Sequence, residues 1–247
     1  MNNNMTNEIG KPLYMYDVVT STFDKAAEFE PMHGLTVVAK QQTAGRGRLG
    51  RQWESGIGGL YMSIYLATDA TIEKCGLITS LCAVAVANAI SQYGDCRIKW
   101  PNDIVLNGKK ICGILTKSCI QDGKANYACV GIGINTNRQD FAPELANASS
   151  ILLQTQQHCD ENQLLKDVLH QIQQAYNCSP AQIMEQYKEK CITLGSEVTF
   201  HYADGSDKIS GICTDISPNG ELVVQSNGQA ITVSAGEVSV RGLYGYV

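Results

Sequence analysis

Several short segments carry residue types at spacings that suit the handling of an anion. The densest is Gly45-Arg46-Gly47-Arg48-Leu49-Gly50-Arg51, with three arginines and three glycines in seven positions. Glycine permits positive φ and close backbone approach, so successive N–H groups can turn toward one anion. Each guanidinium adds a planar fork that matches a phosphate or carboxylate. The run lacks the glycine–lysine–hydroxyl ending of a Walker motif, and its third glycine falls at the wrong offset for a dinucleotide fingerprint. A nucleotide would therefore bind here by neither of the two commonest routes. A solvated loop and a short nucleic-acid-binding Arg-Gly run are the competing readings.

Lys99-Trp100-Pro101-Asn102-Asp103 is the second segment. Pro101 fixes φ and biases Trp100 toward an extended backbone. Asn102 and Asp103 then sit at a strand edge, where Asp103 can orient a lysine or a metal. Lys110 follows across Asn107-Gly108, a strong hairpin signal. Strand geometry brings it back near Asp103 and Ile104. A lysine beside a carboxylate in a pocket can neutralise an incoming carboxylate or phosphate. An Asx turn and a protective edge-strand lysine explain the same residues without chemistry. Gly131-Ile132-Gly133-Ile134-Asn135 ends an apolar run with alternating glycines, which either admit a ligand close to the backbone or mark a bulge.

The elements that must position these residues are legible in the patterning. Apolar, β-branched runs predict strands over 13–19, 35–39, 60–66, 97–99, 104–106, 110–116 and 126–134. Ser21-Thr22 reads as a helix start, with the helix running to about Glu30. Further helices are predicted over 73–93, 161–176 and 181–190, the first apolar over most of its surface. After Gly195 the texture changes to short strands over 197–202, 208–215, 222–225, 230–234 and 239–241. Asp204-Gly205, Pro218-Asn219-Gly220 and Asn227-Gly228 separate them. The expected fold class is α+β: a mixed sheet packed with helices over 1–192, followed by a small β-barrel over 193–247.

The chain has 247 residues, 44% hydrophobic and 17% charged, an ordinary globular balance. Its 19 Lys+Arg against 24 Asp+Glu give a net charge of −5, a poor basis for broad capture of nucleic acid. The basic cluster at 46–51 must have a local use. The ten cysteines show no zinc-knuckle spacing, and no metal-ligand set is expected. Several lie in apolar runs, so reduced structural thiols in a cytoplasmic protein are expected. The polar N-terminus does not read as a signal peptide, and the apolar stretch from Leu81 to Ile90 is about half a membrane span. Neither points to a membrane.

Taken together, the chain resembles the biotin protein ligase family from about Leu13 to Arg241. The carriers are Ser21-Thr22, Gln42, the run from Gly45 to Trp53, Lys99 to Asp103, Lys110 to Leu115 and Gly131 to Asn135, in this order and at these gaps. The resemblance implies a class II aminoacyl-tRNA synthetase-like catalytic domain and an SH3-like barrel. It implies activation of biotin by Mg2+ and ATP to biotinyl-5′-AMP, then transfer to a lysine of a biotin carboxyl-carrier protein. Arg48, Lys110 and Asp103 match the residues expected to act at the reacting groups. Ser21, Thr22, Gln42, Arg46, Gly47, Arg48, Lys110, Gly113, Gly131 and Gly133 match those around biotin. Arg46, Arg48, Arg51, Trp53, Lys99, Asn102, Asn135, Glu237 and Arg241 match those around ATP. The resemblance also implies a homodimer. Because catalytic-domain residues begin within the first twenty positions, the form lacking a helix-turn-helix domain, and without DNA binding, is expected.

The chain departs from the family pattern in places. Phe23 stands where a polar residue such as Asn is frequent, and Lys117 where an acidic one is frequent. Leu49 replaces what is often a further basic residue. A lipoate- or octanoate-handling enzyme of the same fold is the alternative, and a non-catalytic regulator that binds biotinyl-AMP is a third reading.

Overall fold

The structure, a computed structural model, describes residues 8–68, 75–121, 124–202, 208–235 and 238–241. Its larger sheet contains β1 (Leu13–Val19), β2 (Thr36–Gln42), β3 (Gly59–Ala67), β4 (Cys96–Lys99), β5 (Asp103–Leu106), β6 (Lys109–Gln121) and β7 (Lys124–Asn135). Their order is β1-β2-β3-β7-β6-β5-β4. β1 and β2 run parallel, and the other neighbours are antiparallel.

Residue size alternates along the central strands and divides the sheet into two unlike faces. Leu60, Met62, Ile64 and Leu66 of β3, Cys112 and Ile114 of β6, and Val130, Ile132 and Ile134 of β7 join the main core. Successive side chains point to opposite faces. The other face therefore carries Tyr61 and Ser63, Gly113, and Gly131 and Gly133.

Among the described residues five α-helices complete this part: α1 (Thr22–Ala26), α2 (Cys75–Ile90), α3 (Ile151–Thr155), α4 (Glu161–Tyr176) and α5 (Pro180–Lys190). α1 is shorter than the expected helix to Glu30, and α3 has no counterpart among the sequence expectations. α2 is the central helix of the core, with Cys82 to Ala87 all fully buried. Residues Gly76–Tyr93 are apolar and long enough to cross a membrane by composition alone. Their burial between the sheet, α4 and α5 accounts for that apolarity.

The second sheet contains β8 (Glu197–Tyr202), β9 (Lys208–Ile216), β10 (Leu222–Ser226), β11 (Gln229–Val233) and β12 (Val238–Arg241). It is antiparallel, in the order β11-β10-β9-β8-β12. Two Asn-Gly turns have positive φ at both residues: Asn107 and Gly108 at 49° and 82°, Asn227 and Gly228 at 50° and 78°. That geometry matches the twist of a tight hairpin. The expected Asp204-Gly205 turn lies outside the described residues.

The two sheets meet at the Trp100 side chain. Its indole N–H donates to the Gly220 carbonyl at 2.9 Å, and its backbone N–H to Thr193 Oγ1 at 3.0 Å. The Pro218-Asn219-Gly220 turn thus packs against the start of α2, where a Cβ on Gly76 would stand 2.5 Å from the Asn219 carbonyl.

Candidate active site

Strand register assembles the site. Lys99 pairs with Asp103, Asp103 with Gly113, Gly113 with Gly133, and Gly133 with Tyr61. Directly paired residues share a face, so these five form one row across five strands. The next row holds Ser63, Gly131 and Leu115. Above these rows lies a cavity of about 300 Å³, with Thr22 and Gln42 at one end, Lys110 and Arg48 between, and Asn135 at the other.

At the first end the polar groups form a hydrogen-bonded chain. Ser63 Oγ donates to Thr22 Oγ1 (2.8 Å), which donates to Gln42 Oε1 (3.1 Å). Gln42 Nε2 donates to Ser55 Oγ (2.8 Å), which donates to the Trp53 carbonyl (2.9 Å). The Thr22 backbone N–H also reaches Gln42 Oε1 at 2.7 Å, which fixes the amide's orientation. Thr22 retains acceptor capacity and Gln42 a second N–H. A ligand edge offering both a carbonyl and N–H groups complements that pair. Ser21 meets the expectation of a helix start. Its hydroxyl caps α1 by accepting from the Phe23 N–H at 3.2 Å, and it does not line the cavity.

Gly113, Gly131 and Gly133 line the cavity, and protein rings lie over them. A Cβ on Gly131 would stand 2.2 Å from Phe23 Cε2, and one on Gly133 would stand 2.4 Å from Trp53 Nε1. On Gly113 it would meet Trp53 Cζ3 at 2.8 Å. Absence of side chains here makes room first for two aromatic rings, which form the inner wall of the cavity.

The Gly/Arg segment folds as a flap. The Trp53 N–H donates to the Gly45 carbonyl at 2.9 Å and the Gly47 N–H to the Arg51 carbonyl at 2.8 Å. Arg48–Gly50 form a single tight turn at the tip, with Leu49 at φ 55° and Gly50 at φ 72°. Gly45 is required at the base, where a Cβ would stand 2.4 Å from both Ser55 Oγ and the Trp53 carbonyl. Arg46 pairs with Asp24 of α1 at 2.5 Å. Arg48 donates to Asn102 Oδ1 at 3.2 Å and to the Ala235 carbonyl in the turn after β11. Arg51 lines the cavity.

Positive charge converges on Asp103. Lys110 Nζ lies 2.7 Å from Asp103 Oδ1 and 5.3 Å from the Trp53 ring centroid. Burial pushes the Lys99 ammonium below its ordinary range while Asp103 opposes the shift. Burial likewise lowers the Arg48 guanidinium, and Asp103 again opposes. Arg48 remains charged in any case. Asn102 donates to the Ile114 carbonyl at 2.6 Å, which holds it against β6.

At the far end Asn135 is 2% exposed. Its Nδ2 donates to the Ser149 carbonyl at 3.1 Å, and its buried Oδ1 has no hydrogen-bond partner. Such an acceptor is costly unless a ligand N–H meets it. Arg138 closes this end, pairing with Glu54 at 2.9 Å over the Phe141 ring. Glu237 lies outside the described residues. Arg241 is seen only through its backbone, paired with Thr199 in β12.

Sequence reasoning missed Ser55, Ser63 and Arg138. Ser63 had a signal, as the only hydroxyl amino acid other than tyrosine within the run Leu60–Leu66. Ser55 and Arg138 gave none.

Comparison with known proteins agrees with this geometry. The Biotin/lipoate A/B protein ligase family model matches residues 15–135, and the Biotin protein ligase C terminal domain model matches residues 193–241. The solved Aquifex aeolicus biotin protein ligase in complex with biotin and ATP superposes with a TM-score of 0.81 at 29% identity. That match covers 93% of this chain and 98% of the other. The bifunctional ligase/repressor BirA of Bacillus subtilis is 41% identical over 157 residues, 60% of this chain and 48% of BirA. The biotin--[acetyl-CoA-carboxylase] ligase of Mycobacterium tuberculosis is 28% identical over 227 residues, 87% of this chain and 82% of that protein. The match thus spans about half the length of the Bacillus relative. Fold and site define the class of the biotin and lipoate ligases, an α+β domain with a small SH3-like companion. Within that class, the chain belongs to the biotin protein ligase family.

Proposed function

We propose that this chain activates biotin with ATP and transfers it to a lysine of a carrier protein. One observation carries the reading. A single cavity runs from a polar pair suited to a cyclic urea, past a lysine–carboxylate pair, to an unpartnered acceptor suited to adenine.

In the first half-reaction a biotin carboxylate oxygen attacks the α-phosphorus of ATP. The bond from that phosphorus to the bridging oxygen breaks, and pyrophosphate leaves. Thr22 and Gln42 hold the ureido edge, so that a ligand lacking it leaves buried groups unsatisfied. Lys110 draws the two anions together, oriented by Asp103, and Arg48 stabilises charge at phosphorus. Lys99 and Arg51 add positive charge for the leaving pyrophosphate, while Asn135 accepts from the adenine amine and Asn102 steadies Arg48. In the second half-reaction a lysine amine attacks the acyl carbon, its proton is lost, and AMP leaves. No enzyme nucleophile is needed.

Among the described residues no three His, Cys, Asp or Glu side chains converge on a metal position. Asp103 lines the cavity and would offer a carboxylate oxygen to a magnesium ion that enters on the nucleotide's phosphates, which takes at most one or two carboxylates. The ion would neutralise phosphate charge.

The carrier partner is inferred from the Mycobacterium tuberculosis relative, whose name specifies acetyl-CoA carboxylase as the protein acted on. The nine cysteines whose side chains are described are free, which suits a reducing compartment such as the cytoplasm. Edge strand β1 presents Leu13, Met15 and Val18 to solvent, which suits a homodimer. Incubation with labelled biotin, ATP and a carrier domain should label one carrier lysine. Labelling by lipoate and not by biotin would defeat the reading.

A further inference from the structure

Two departures from the family pattern meet in space. Phe23 follows the Thr22 that belongs to the polar chain, and its ring lies over Gly131. Lys117 Nζ stands 5.6 Å from that ring's centroid, within cation–π reach. Register explains the meeting. Leu115 pairs with Gly131 and Lys117 with Cys129, so Lys117 shares the Gly131 face one pair further along. This end of the cavity therefore offers hydrogen bonds from Thr22 and Gln42, but only aromatic surface over Gly131.

Resting on the biotin reading above, we propose that Phe23 is a specificity-determining residue. Its ring is the apolar wall against which the thioether ring of the biotin bicycle rests, while the ureido edge faces Thr22 and Gln42. Lys117 does not touch the ligand. It is a positioning residue that holds the Phe23 ring over Gly131. A polar group on the thioether would be buried against that ring with no partner, which disfavours binding. The wall thus excludes sulfur-oxidised biotin, a ligand whose ureido edge is intact.

The test is pyrophosphate release with biotin, biotin sulfoxide and lipoate, for the wild type, Phe23→Ala and Lys117→Gln. The wild type should prefer biotin to the sulfoxide by about 100-fold in kcat/KM, the scale of discrimination a built site achieves. Phe23→Ala should cut that preference about tenfold, with the loss for biotin in KM rather than kcat. Lys117→Gln should cut it about two- to fivefold, as expected for one partly exposed cation–π contact. An unchanged preference in both variants, or no preference in the wild type, overturns the proposal. Release with lipoate and none with biotin refutes the underlying biotin reading instead. Should Phe23→Ala fail to fold by circular dichroism, Phe23→Asn puts a hydrogen-bonding group in the wall. A loss of preference in Phe23→Asn then supports the proposal, and an unchanged one overturns it.

Discussion

At the scale of single residues the proposed reaction rests on the placing of charge. Lys110 sits 2.7 Å from Asp103, whose row across the sheet continues through Gly113 and Gly133. Replacing Lys110 with Ala should slow biotinyl-AMP formation about 100-fold or more, the scale of losing one charge-stabilising donor. Transfer from supplied biotinyl-AMP should fall far less, because the anhydride is already made. Separate assays of pyrophosphate release and carrier labelling check this, and equal losses would remove Lys110 from the first step. The sequence showed this pair through its Asn-Gly hairpin, a local rule with a fixed geometric consequence. It could not show Phe23 and Trp53 lying over the glycines, because a ring's resting place depends on packing between distant strands.

At the scale of elements the flap and the helix ends carry testable weight. The flap is held through Arg48 to Asn102 and to Ala235 after β11, and through Arg46 to Asp24. Arg48→Ala should release the adenylate faster and label bystander lysines about tenfold more, as expected when one charge-assisted contact of ~1.5 kcal/mol is lost. Quench-flow retention of biotinyl-AMP measures this, and unchanged retention contradicts the closing role. α5 begins with a capping box in which Ser179 Oγ accepts from the Gln182 N–H and the Gln182 side chain accepts from the Ser179 N–H. Ser179→Ala should cost about 1 kcal/mol without changing KM, read by urea unfolding. Strands and long helices were legible because period-two and helical patterns are local. The five-residue α3 escaped notice because so short a helix shows little more than one turn of periodicity. The flap's paired backbone escaped because Gly and Arg carry no strand signal.

At the scale of the molecule, one half-buried imidazole ties the loop after α1 to β3 and α4. His33 Nδ1 accepts from the Ala67 N–H at 3.1 Å, and its ring lies 4.6 Å from that of Tyr176. Burial holds its pKa below the ordinary 6.5. The unfolded chain therefore binds this proton more readily than the fold does. The stability that neutral His33 contributes is full above pH 6.5 and is lost as pH falls through the lower folded value. His33→Asn keeps an acceptor and cannot titrate. Between pH 7.5 and 5.5 the wild type should lose more stability than this variant, and parallel losses in urea unfolding would refute the assignment. Buried thiols at Cys82, Cys96 and Cys213 have pKa values pushed up to about 12, so the core is chemically quiet at neutral pH. The docking of the second sheet on Trp100 was not legible, since no local pattern announces a contact 120 residues away.

The three floor glycines also bear on how such a protein can drift over generations. Any single-base change that alters the amino acid at Gly113, Gly131 or Gly133 adds at least a Cβ, and each Cβ meets a ring within 2.8 Å. The floor is a genetic dead end, while the walls stay open to variation. A lineage that acquires a new ligand would be expected to record the change at Phe23 and Lys117 and leave the glycines alone.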